Sequence, residues 1–266
     1  MAAPPTRNVL KEDFNWEVPV ETVPLPSQGK VYDPDSMLYN RETVDIKAMT
    51  AKEEDILTSA ALLKRGETVS ALVRSCITDG GINVDEMILG DRNALMISIR
   101  VTGYGQDYRV SVDCPKCSYS NDKTIDLGNL PIKFLEINPV KKGLNEFEFT
   151  LPVTKKNVTF KFITVKDEKE MSQTREKMNK HFDVPVENNV TANLEQCIMS
   201  IDGIRDKNKI RHFVQYMPAF DSKSLRNFIK ENEPGIKMEY DLVCDDCTSV
   251  SSVIVPMSSE FFWPSE

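Results

Sequence analysis

Two short stretches, far apart in the chain, each carry a Cys-x-x-Cys pair after a strand-like sequence. The first is Tyr108-Arg-Val-Ser-Val-Asp-Cys114-Pro-Lys-Cys117, and the second is Tyr240-Asp-Leu-Val-Cys244-Asp-Asp-Cys247. A further strand-like run follows each pair, Lys123–Leu127 after the first and Val250–Val255 after the second. Two such hairpins that meet in space form a four-thiolate tetrahedral site, the usual structural zinc site. The pattern therefore predicts a zinc ribbon that joins two distant parts of the chain.

Four thiolates fill all the coordination positions of a tetrahedral zinc, so the predicted role of the metal is structural and not catalytic. The predicted Zn²⁺ ligands are Cys114, Cys117, Cys244 and Cys247. The main alternative is a pair of redox-active dithiols, but that chemistry usually places the CxxC at a helix N-terminus. In a third interpretation, these four thiols bind no metal. The other two cysteines, Cys76 and Cys197, lie in apolar helix-like runs and are predicted to be buried core thiols.

Composition excludes several classes of protein. The chain has 266 residues, 40% of them hydrophobic, and a net charge of −8. Wide nucleic-acid contact relies on many Lys and Arg residues, so this acidic balance argues against it. No run approaches the roughly 18–20 apolar residues of a membrane helix, and the N-terminus lacks the apolar core of a signal peptide. We therefore expect a protein made in the cytoplasm, without a membrane partner.

Periodicity predicts an α+β fold of mixed helices and antiparallel strands, with the two-knuckle zinc-ribbon-like element. The predicted divisions are an extended N-terminal arm (1–24), an N-terminal helical part with the first knuckle (25–132), a strand hairpin and helical insert (133–235), and the second knuckle with an aromatic tail (236–266).

Local motifs place several elements. Thr50 and Glu53 form a capping box, which predicts a helix from there to about Lys64, before Gly66. The run Phe134–Ile137 is a further predicted strand. Alternation at Glu146–Leu151 and Val158–Ile163 predicts an antiparallel hairpin. Helices are predicted at Lys166–His181, Thr191–Ile201, Lys207–Met217 and Ser222–Asn232, the last with Asp221 as its cap.

No catalytic or cofactor-binding residue is predicted. The acidic triple Glu53–Asp55 is explained by helix capping. The only histidines, His181 and His212, have neither a nucleophile nor a metal-ligand spacing beside them. Gly29-Lys30 lacks the spacing of a phosphate-binding loop, although Gly29 suits a turn with positive φ. These observations favour a protein that is not an enzyme and has no small-molecule substrate.

Aromatic residues near the two ends of the chain are predicted partner contacts. Phe14 and Trp16 lie in the Pro-rich arm, and Phe261, Phe262 and Trp263 lie in the C-terminal tail. Large aromatic surfaces are costly to leave in water. Each group therefore packs either on this chain or on a partner.

Several stretches together resemble one known family. They are Leu25–Tyr32, Thr50–Leu57, Leu89–Leu95, Ile99–Tyr108, Cys114–Cys117 and Phe261–Pro264. The chain resembles the baseplate hub proteins and hub-assembly proteins of T-even-type contractile-tail bacteriophages. The resemblance covers most of the chain and is strongest over residues 25–117.

The resemblance implies a non-enzymatic structural component of the central hub of the phage tail baseplate, synthesised in the host cytoplasm. Its partners would be other baseplate, hub and tail proteins. One alternative is a hub-assembly chaperone that is absent from the mature virion. A second is a zinc-ribbon nucleic-acid-binding protein, against which the acidic tip Asp245-Asp246 argues.

Overall fold

The computed structural model of the chain describes the backbone of residues 13–181, 190–255 and 261–262, and the side chains of the same residues except 175–181. Eight α-helices, two short 3-10 helices (Val84–Glu86 and Leu127–Asn129) and eleven strands are found in these ranges. The helices are α1 (Ala51–Thr58), α2 (Ala60–Arg65), α3 (Thr68–Cys76), α4 (Leu89–Tyr104), α5 (Val165–His181), α6 (Val190–Cys197), α7 (Lys207–Tyr216) and α8 (Ala219–Asn232). The strands are β1 (Val20–Pro24), β2 (Thr43–Lys47), β3 (Asp107–Asp113), β4 (Ser120–Asp126), β5 (Ile132–Lys133), β6 (Phe147–Thr150), β7 (Asn157–Phe160), β8 (Ile198–Ile201), β9 (Gly235–Ile236), β10 (Glu239–Val243) and β11 (Val250–Ile254). Their pairings are antiparallel, which confirms the α+β class.

The N-terminal part begins with a strand pair that shortens the predicted arm. Strand β1 pairs with β2 along its whole length, from Val20 opposite Lys47 to Pro24 opposite Thr43. The arm predicted for residues 1–24 therefore ends before Val20, because the backbone from there on completes a ladder and Val23 enters the core. Residues 1–12 lie outside the described ranges.

The capping box forms as predicted, but the helix after it is interrupted. The Thr50 backbone N–H donates to Glu53 Oε2 at 3.1 Å. Helix α1 ends at Thr58 because Ser59 is extended, with ψ 105°. Helix α2 then runs to Arg65 and ends at Gly66, whose φ of +65° suits glycine.

Helix α4 lies at the centre of the fold. Its apolar residues Ala94–Ile97 and Ile99 are buried, so the helix packs on more than one side. Gly90 lets the backbone at Pro234 approach closely, since a Cβ on Gly90 would lie 1.9 Å from the Pro234 carbonyl oxygen. Helix α4 therefore holds the segment that leads into β9 and β10.

A buried carboxylate ties the first turn of α4 to the turn that follows β1. Asp91 accepts hydrogen bonds from the Ser27 backbone N–H at 2.8 Å and the Ser27 hydroxyl at 2.5 Å, and also from the Tyr32 hydroxyl. Burial raises the pKa of Asp91, against the effect of these hydrogen bonds. Gly29 takes the expected positive φ in this turn. Two stretches that carry the family resemblance thus meet in one polar cluster.

The sheet β6–β7–β8 corrects one predicted helix. The hairpin of β6 and β7 is confirmed, with Phe147 opposite Phe160. The predicted helix Thr191–Ile201 instead ends at Cys197, and Ile198–Ile201 forms β8 beside β7. The apolar residues of this run fit the period of a helix and that of a strand. Residues Ile198–Ile201 form a strand because they pair with the open edge of β7.

One predicted strand and one predicted helix cap differ from the structure in position. The strand expected at Phe134–Ile137 is instead the short β5 at Ile132–Lys133. Asp221 lies inside the first turn of α8, whose N-cap is Pro218. Its carboxylate accepts from the Val153 N–H at 2.7 Å and the Thr154 N–H at 3.0 Å, so it stabilises the β6–β7 turn.

The pairing of β5 with β9 brings the two CxxC hairpins side by side. Ile132 lies opposite Ile236, shortly after β4 and shortly before β10. Among the described helices, none is long and apolar enough to cross a membrane.

Candidate metal centre

Each CxxC lies at the tip of a two-stranded hairpin, β3–β4 for the first and β10–β11 for the second. The two tips share one backbone arrangement. The Cys114 N–H donates to the Tyr119 carbonyl at 2.8 Å, and the Cys244 N–H donates to the Ser249 carbonyl at 3.0 Å. The residue after each second cysteine, Ser118 or Thr248, has a positive φ of 58° or 56°. Both knuckles are therefore fixed locally, and neither lies at a helix N-terminus.

The structure brings the four predicted ligands together. Their Sγ atoms lie within 4.8 Å of one another. Two of these distances join the two hairpins: 3.7 Å from Cys114 to Cys247 and 3.6 Å from Cys117 to Cys244. A tetrahedral zinc with Zn–S bonds of about 2.3 Å needs sulfur–sulfur distances of about 3.8 Å, whereas a disulfide needs about 2.0 Å. The donor set therefore fits a single metal ion, and the four thiols are free.

Hydrogen-bond donors favour thiolates at part of this site. Ser249 Oγ lies 3.0 Å from Cys247 Sγ and 3.6 Å from Cys114 Sγ. This hydroxyl, together with the backbone N–H groups of Cys117 and Lys116, lowers the pKa of Cys114 to about 6. The same hydroxyl lowers the pKa of Cys247. Zinc binds thiolates, so this polarity suits a cation.

The pKa of Cys117 shifts in the opposite direction. The Tyr119 backbone N–H lowers its pKa, but burial and hydrogen bonds to the other three thiols raise it to about 12. Metal binding would therefore release a proton from this thiol.

Asn121 and Lys123 link the hairpins outside the sulfur cluster. The buried Asn121 side chain donates from Nδ2 to the Tyr119 carbonyl at 2.9 Å and accepts at Oδ1 from the Asp245 N–H at 2.8 Å. Lys123 Nζ lies 2.6 Å from Asp245 Oδ1. Sequence reasoning missed both residues. The alternation of β4, which turns position 121 toward the inner face, was the signal that could have found Asn121.

The remaining cysteines are separate from this centre. Cys76 is buried and Cys197 is half-buried. Burial raises the pKa of each thiol to about 12, so both stay protonated and unreactive at neutral pH. The burial predicted for Cys76 is confirmed, and that for Cys197 is only partial.

The predicted aromatic contacts divide into two groups. Phe14 and Trp16 are 70% and 50% exposed. Phe261 and Phe262 are instead buried on this chain, where Phe261 packs edge-on against Tyr108 at a centroid distance of 5.3 Å. This corrects their prediction as partner contacts, because rings that fill the chain's own core offer no surface. Trp263 lies outside the described residues.

A fully buried guanidinium holds the tail in this place. Arg100 Nε donates to the Phe261 carbonyl at 2.5 Å, and its Nη1 donates to the Gly105 carbonyl at 2.7 Å. Burial lowers the pKa of Arg100. The C-terminal tail is thereby joined to the end of α4, where the chain enters the first hairpin.

Comparison with known proteins identifies the family. A family model described as "T4 bacteriophage base plate protein" matches residues 19–263. No curated protein and no solved structure gives a significant match. The matched span contains both CxxC pairs, helix α4 and Phe261, and it covers most of the chain. The chain therefore belongs to the family of T4 bacteriophage base plate proteins, structural proteins of the phage tail baseplate.

Proposed function

We propose that this protein is a non-enzymatic subunit of the central hub of the baseplate, in which one structural zinc joins the two hairpins. The family match supports the baseplate. The cross-hairpin sulfur distances of 3.6 and 3.7 Å carry the zinc proposal, because they suit a shared tetrahedral ion. A closed set of four ligands supports a structural role, since it leaves no position for a substrate.

Metal analysis of the purified protein tests the zinc proposal directly. We expect one zinc per chain, lost in Cys244→Ser. The matched control is Cys197→Ser, which removes a thiol outside the cluster and should keep the metal. A wild-type protein with well below one zinc per chain contradicts the proposal.

Mass spectrometry of purified virions tests the hub role. We expect the chain at a fixed ratio to other baseplate proteins. Its presence in assembly intermediates and its absence from finished particles would instead identify an assembly chaperone.

The nucleic-acid alternative is disfavoured by the outer face of the first hairpin. Asp107, Asp113 and Asp122 are exposed there, and phosphate would be repelled by them. We expect no retention of DNA or RNA by the protein in a filter-binding assay at low salt. Salt-sensitive retention would favour the zinc-ribbon nucleic-acid binder.

We propose Phe14 and Trp16 as contacts to neighbouring subunits. Both rings are exposed beside the strand β1, so they can be covered without disturbing the core.

A further inference from the structure

Strand β11 bonds to β10 through every second residue. Hydrogen-bonded pairs alternate with non-hydrogen-bonded pairs along an antiparallel ladder. At one end of this ladder the Cys244 N–H donates to the Ser249 carbonyl at 3.0 Å, and at the other end the Val255 N–H donates to the Met238 carbonyl at 2.9 Å. Both bonds keep the register of the ladder, so the residues of β11 that bond to β10 are the odd-numbered ones.

The even-numbered residues of β11 form an open edge, which we call the β11 edge. It consists of Val250, Ser252 and Ile254, whose backbone N–H and C=O groups point away from β10. Within the part of the chain that the structure describes, these groups bond to no other strand or loop. The side chains of all three residues are exposed. A row of unpaired backbone groups of this kind is a template for a further strand.

The β11 edge lacks the features that usually protect an edge strand from pairing. Natural edge strands commonly carry lysine, other charged side chains or proline. The sequence Thr248-Ser-Val-Ser-Ser-Val-Ile-Val255 contains none of these. The corresponding strand of the first hairpin, β4, carries Asp122, Lys123 and Asp126. The second hairpin is therefore the one whose edge is suited to pairing.

The β11 edge is complementary to a second copy of itself. On its exposed face the order is a β-branched apolar residue, a serine and a β-branched apolar residue, which reads nearly the same in both directions. An antiparallel pair centred on Ser252 places Val250 opposite Ile254 of the second copy. All three edge residues then occupy hydrogen-bonded positions, so each outward N–H and C=O gains a partner. Val250 and Ile254 are 66% and 71% exposed, and the cross-strand contact covers both.

Charge also favours this surface over others for contact between copies. The net charge of the chain is −8, so two copies repel each other over most of their surface. Pairing through β11 brings no charged side chain directly opposite another, because residues 248–255 carry none.

We propose that two copies of the chain associate through antiparallel pairing of β11, with a two-fold axis beside Ser252, so that their β10–β11 hairpins form one four-stranded sheet. Both copies use the same surface, so the contact is isologous and closes at a dimer. A two-stranded hairpin is marginally stable by itself, whereas sheets of more strands are more stable. Pairing therefore stabilises the hairpin with the shorter strands.

Sedimentation velocity of the full-length protein tests the contact. We expect a monomer–dimer equilibrium for the wild type. Ser252→Pro removes the central outward N–H and keeps each N–H that bonds to β10, so the hairpin should persist while the dimer weakens by about tenfold or more. Ser252→Ala is the matched control. It keeps the backbone donor, and its dissociation constant should change by less than about twofold.

A pair of charged variants tests the register. Val250→Lys and Ile254→Glu each place a charge opposite an apolar residue of the second copy, and each should weaken the dimer by at least about threefold. An equimolar mixture of the two should associate more tightly than either variant alone, because position 250 of one chain faces position 254 of the other. Mixing Val250→Lys with Val20→Glu, a change at an exposed residue of β1, should not restore association.

Three outcomes overturn the proposal. They are a wild type that stays monomeric at its highest soluble concentration, a dimer that none of the β11 variants weakens, and a mixture that associates no more tightly than its components. The metal analysis and the mass spectrometry of virions read out different properties, so failure of this contact is distinguishable from failure of the zinc site or of the hub role.

Discussion

The two CxxC hairpins have the same knuckle at the tip but differ in how their strands are anchored. Strands β3 and β4 are seven residues each, and Tyr108, Val110 and Val112 enter the core. Strands β10 and β11 are five residues each, and Leu242 is their one fully buried apolar side chain among the described residues. The difference teaches that bringing the four cysteines together needs only the backbone of the two knuckles, and that the anchoring of the flanking strands can vary independently.

The outer faces of the two hairpins differ as well. The first exposes polar residues such as Asp107, Arg109 and Ser111. The second exposes Val243, Val250 and Ile254. The first hairpin is therefore part of the body of the protein. The second is held to it by the β5–β9 pair, by Leu242, by the contacts of Asn121 and Lys123 with Asp245, and by the proposed metal.

Removing the metal should have the largest effect and should act unequally on the two hairpins. Structural zinc contributes about 10–16 kcal/mol in small zinc-finger peptides, which is comparable to the whole stability of a domain. We expect a chelator, or Cys→Ser at any of the four ligands, to destabilise folding and to impair assembly as a consequence. Hydrogen exchange should accelerate more in residues 239–254 than in residues 107–126, because the second hairpin has fewer buried anchors.

The control for that experiment is zinc added back to the chelated protein, which should restore slow exchange in both hairpins. Equal acceleration in the two hairpins would show that anchoring of the strands does not matter. A variant lacking all four cysteines that folds and assembles normally would show that the centre is dispensable.

The next largest effect should come from the anchor of the first hairpin. Tyr108→Ala removes a buried ring that packs on Phe261, and we expect it to lower the free energy of unfolding by about 3–5 kcal/mol. Tyr119→Ala on the same hairpin is the matched control, since its ring is about half exposed and its loss should change stability by less than about 0.5 kcal/mol. Denaturant unfolding measures both. Similar losses would contradict the view that the inner face anchors this hairpin.

The clustering of the four cysteines could be predicted from sequence because a CxxC between strands is a local pattern. The chain has only two other cysteines, so the two CxxC pairs are the natural ligands for one shared metal ion. The fold class could be predicted for a similar reason, since period-two and helical runs alternate along the chain. Local patterns do not show which distant elements of the chain pack against each other.

Two errors and one omission illustrate that limit. The run ending in Ile198–Ile201 fits a helix by spacing, and only the neighbouring edge of β7 makes it a strand. No residue near the C-terminus indicates what Phe261 and Phe262 pack against. In the structure, Tyr108 packs against the ring of Phe261, and Arg100 donates a hydrogen bond to the Phe261 carbonyl oxygen. Both residues lie more than 150 positions earlier in the chain. The alternation of β4 places Asn121 on the inner face, but its role as an acceptor depends on Asp245 of the other hairpin, which no local pattern shows.

The third prediction compares Asn121 with Ser251, which occupies the corresponding position in the second hairpin. Asn121→Ala leaves the Asp245 N–H and the Tyr119 carbonyl without their side-chain partner, which should cost about 1–3 kcal/mol and weaken zinc retention. Ser251→Ala is the control and should change stability by less than about 0.5 kcal/mol, because Ser251 is only half-buried. Chelator competition and unfolding measure both. A larger loss of stability in Ser251→Ala than in Asn121→Ala would contradict the view that Asn121 is the residue that links the two hairpins.

The smallest effect should come from the ion pair that joins the hairpins on their surface. Lys123→Met keeps most of the side chain and removes the charge that faces Asp245, so the loss of stability should be below that of Asn121→Ala and should shrink as salt is added. The hydrogen bond to Asp245 raises the pKa of Lys123 above its usual value. The contribution of the pair is therefore complete below the pKa of an unfolded lysine and is lost as pH rises through the higher pKa of the folded one. A difference between wild type and Lys123→Met that persists in high salt would mean that packing of the lysine stem, and not its charge, links the two hairpins.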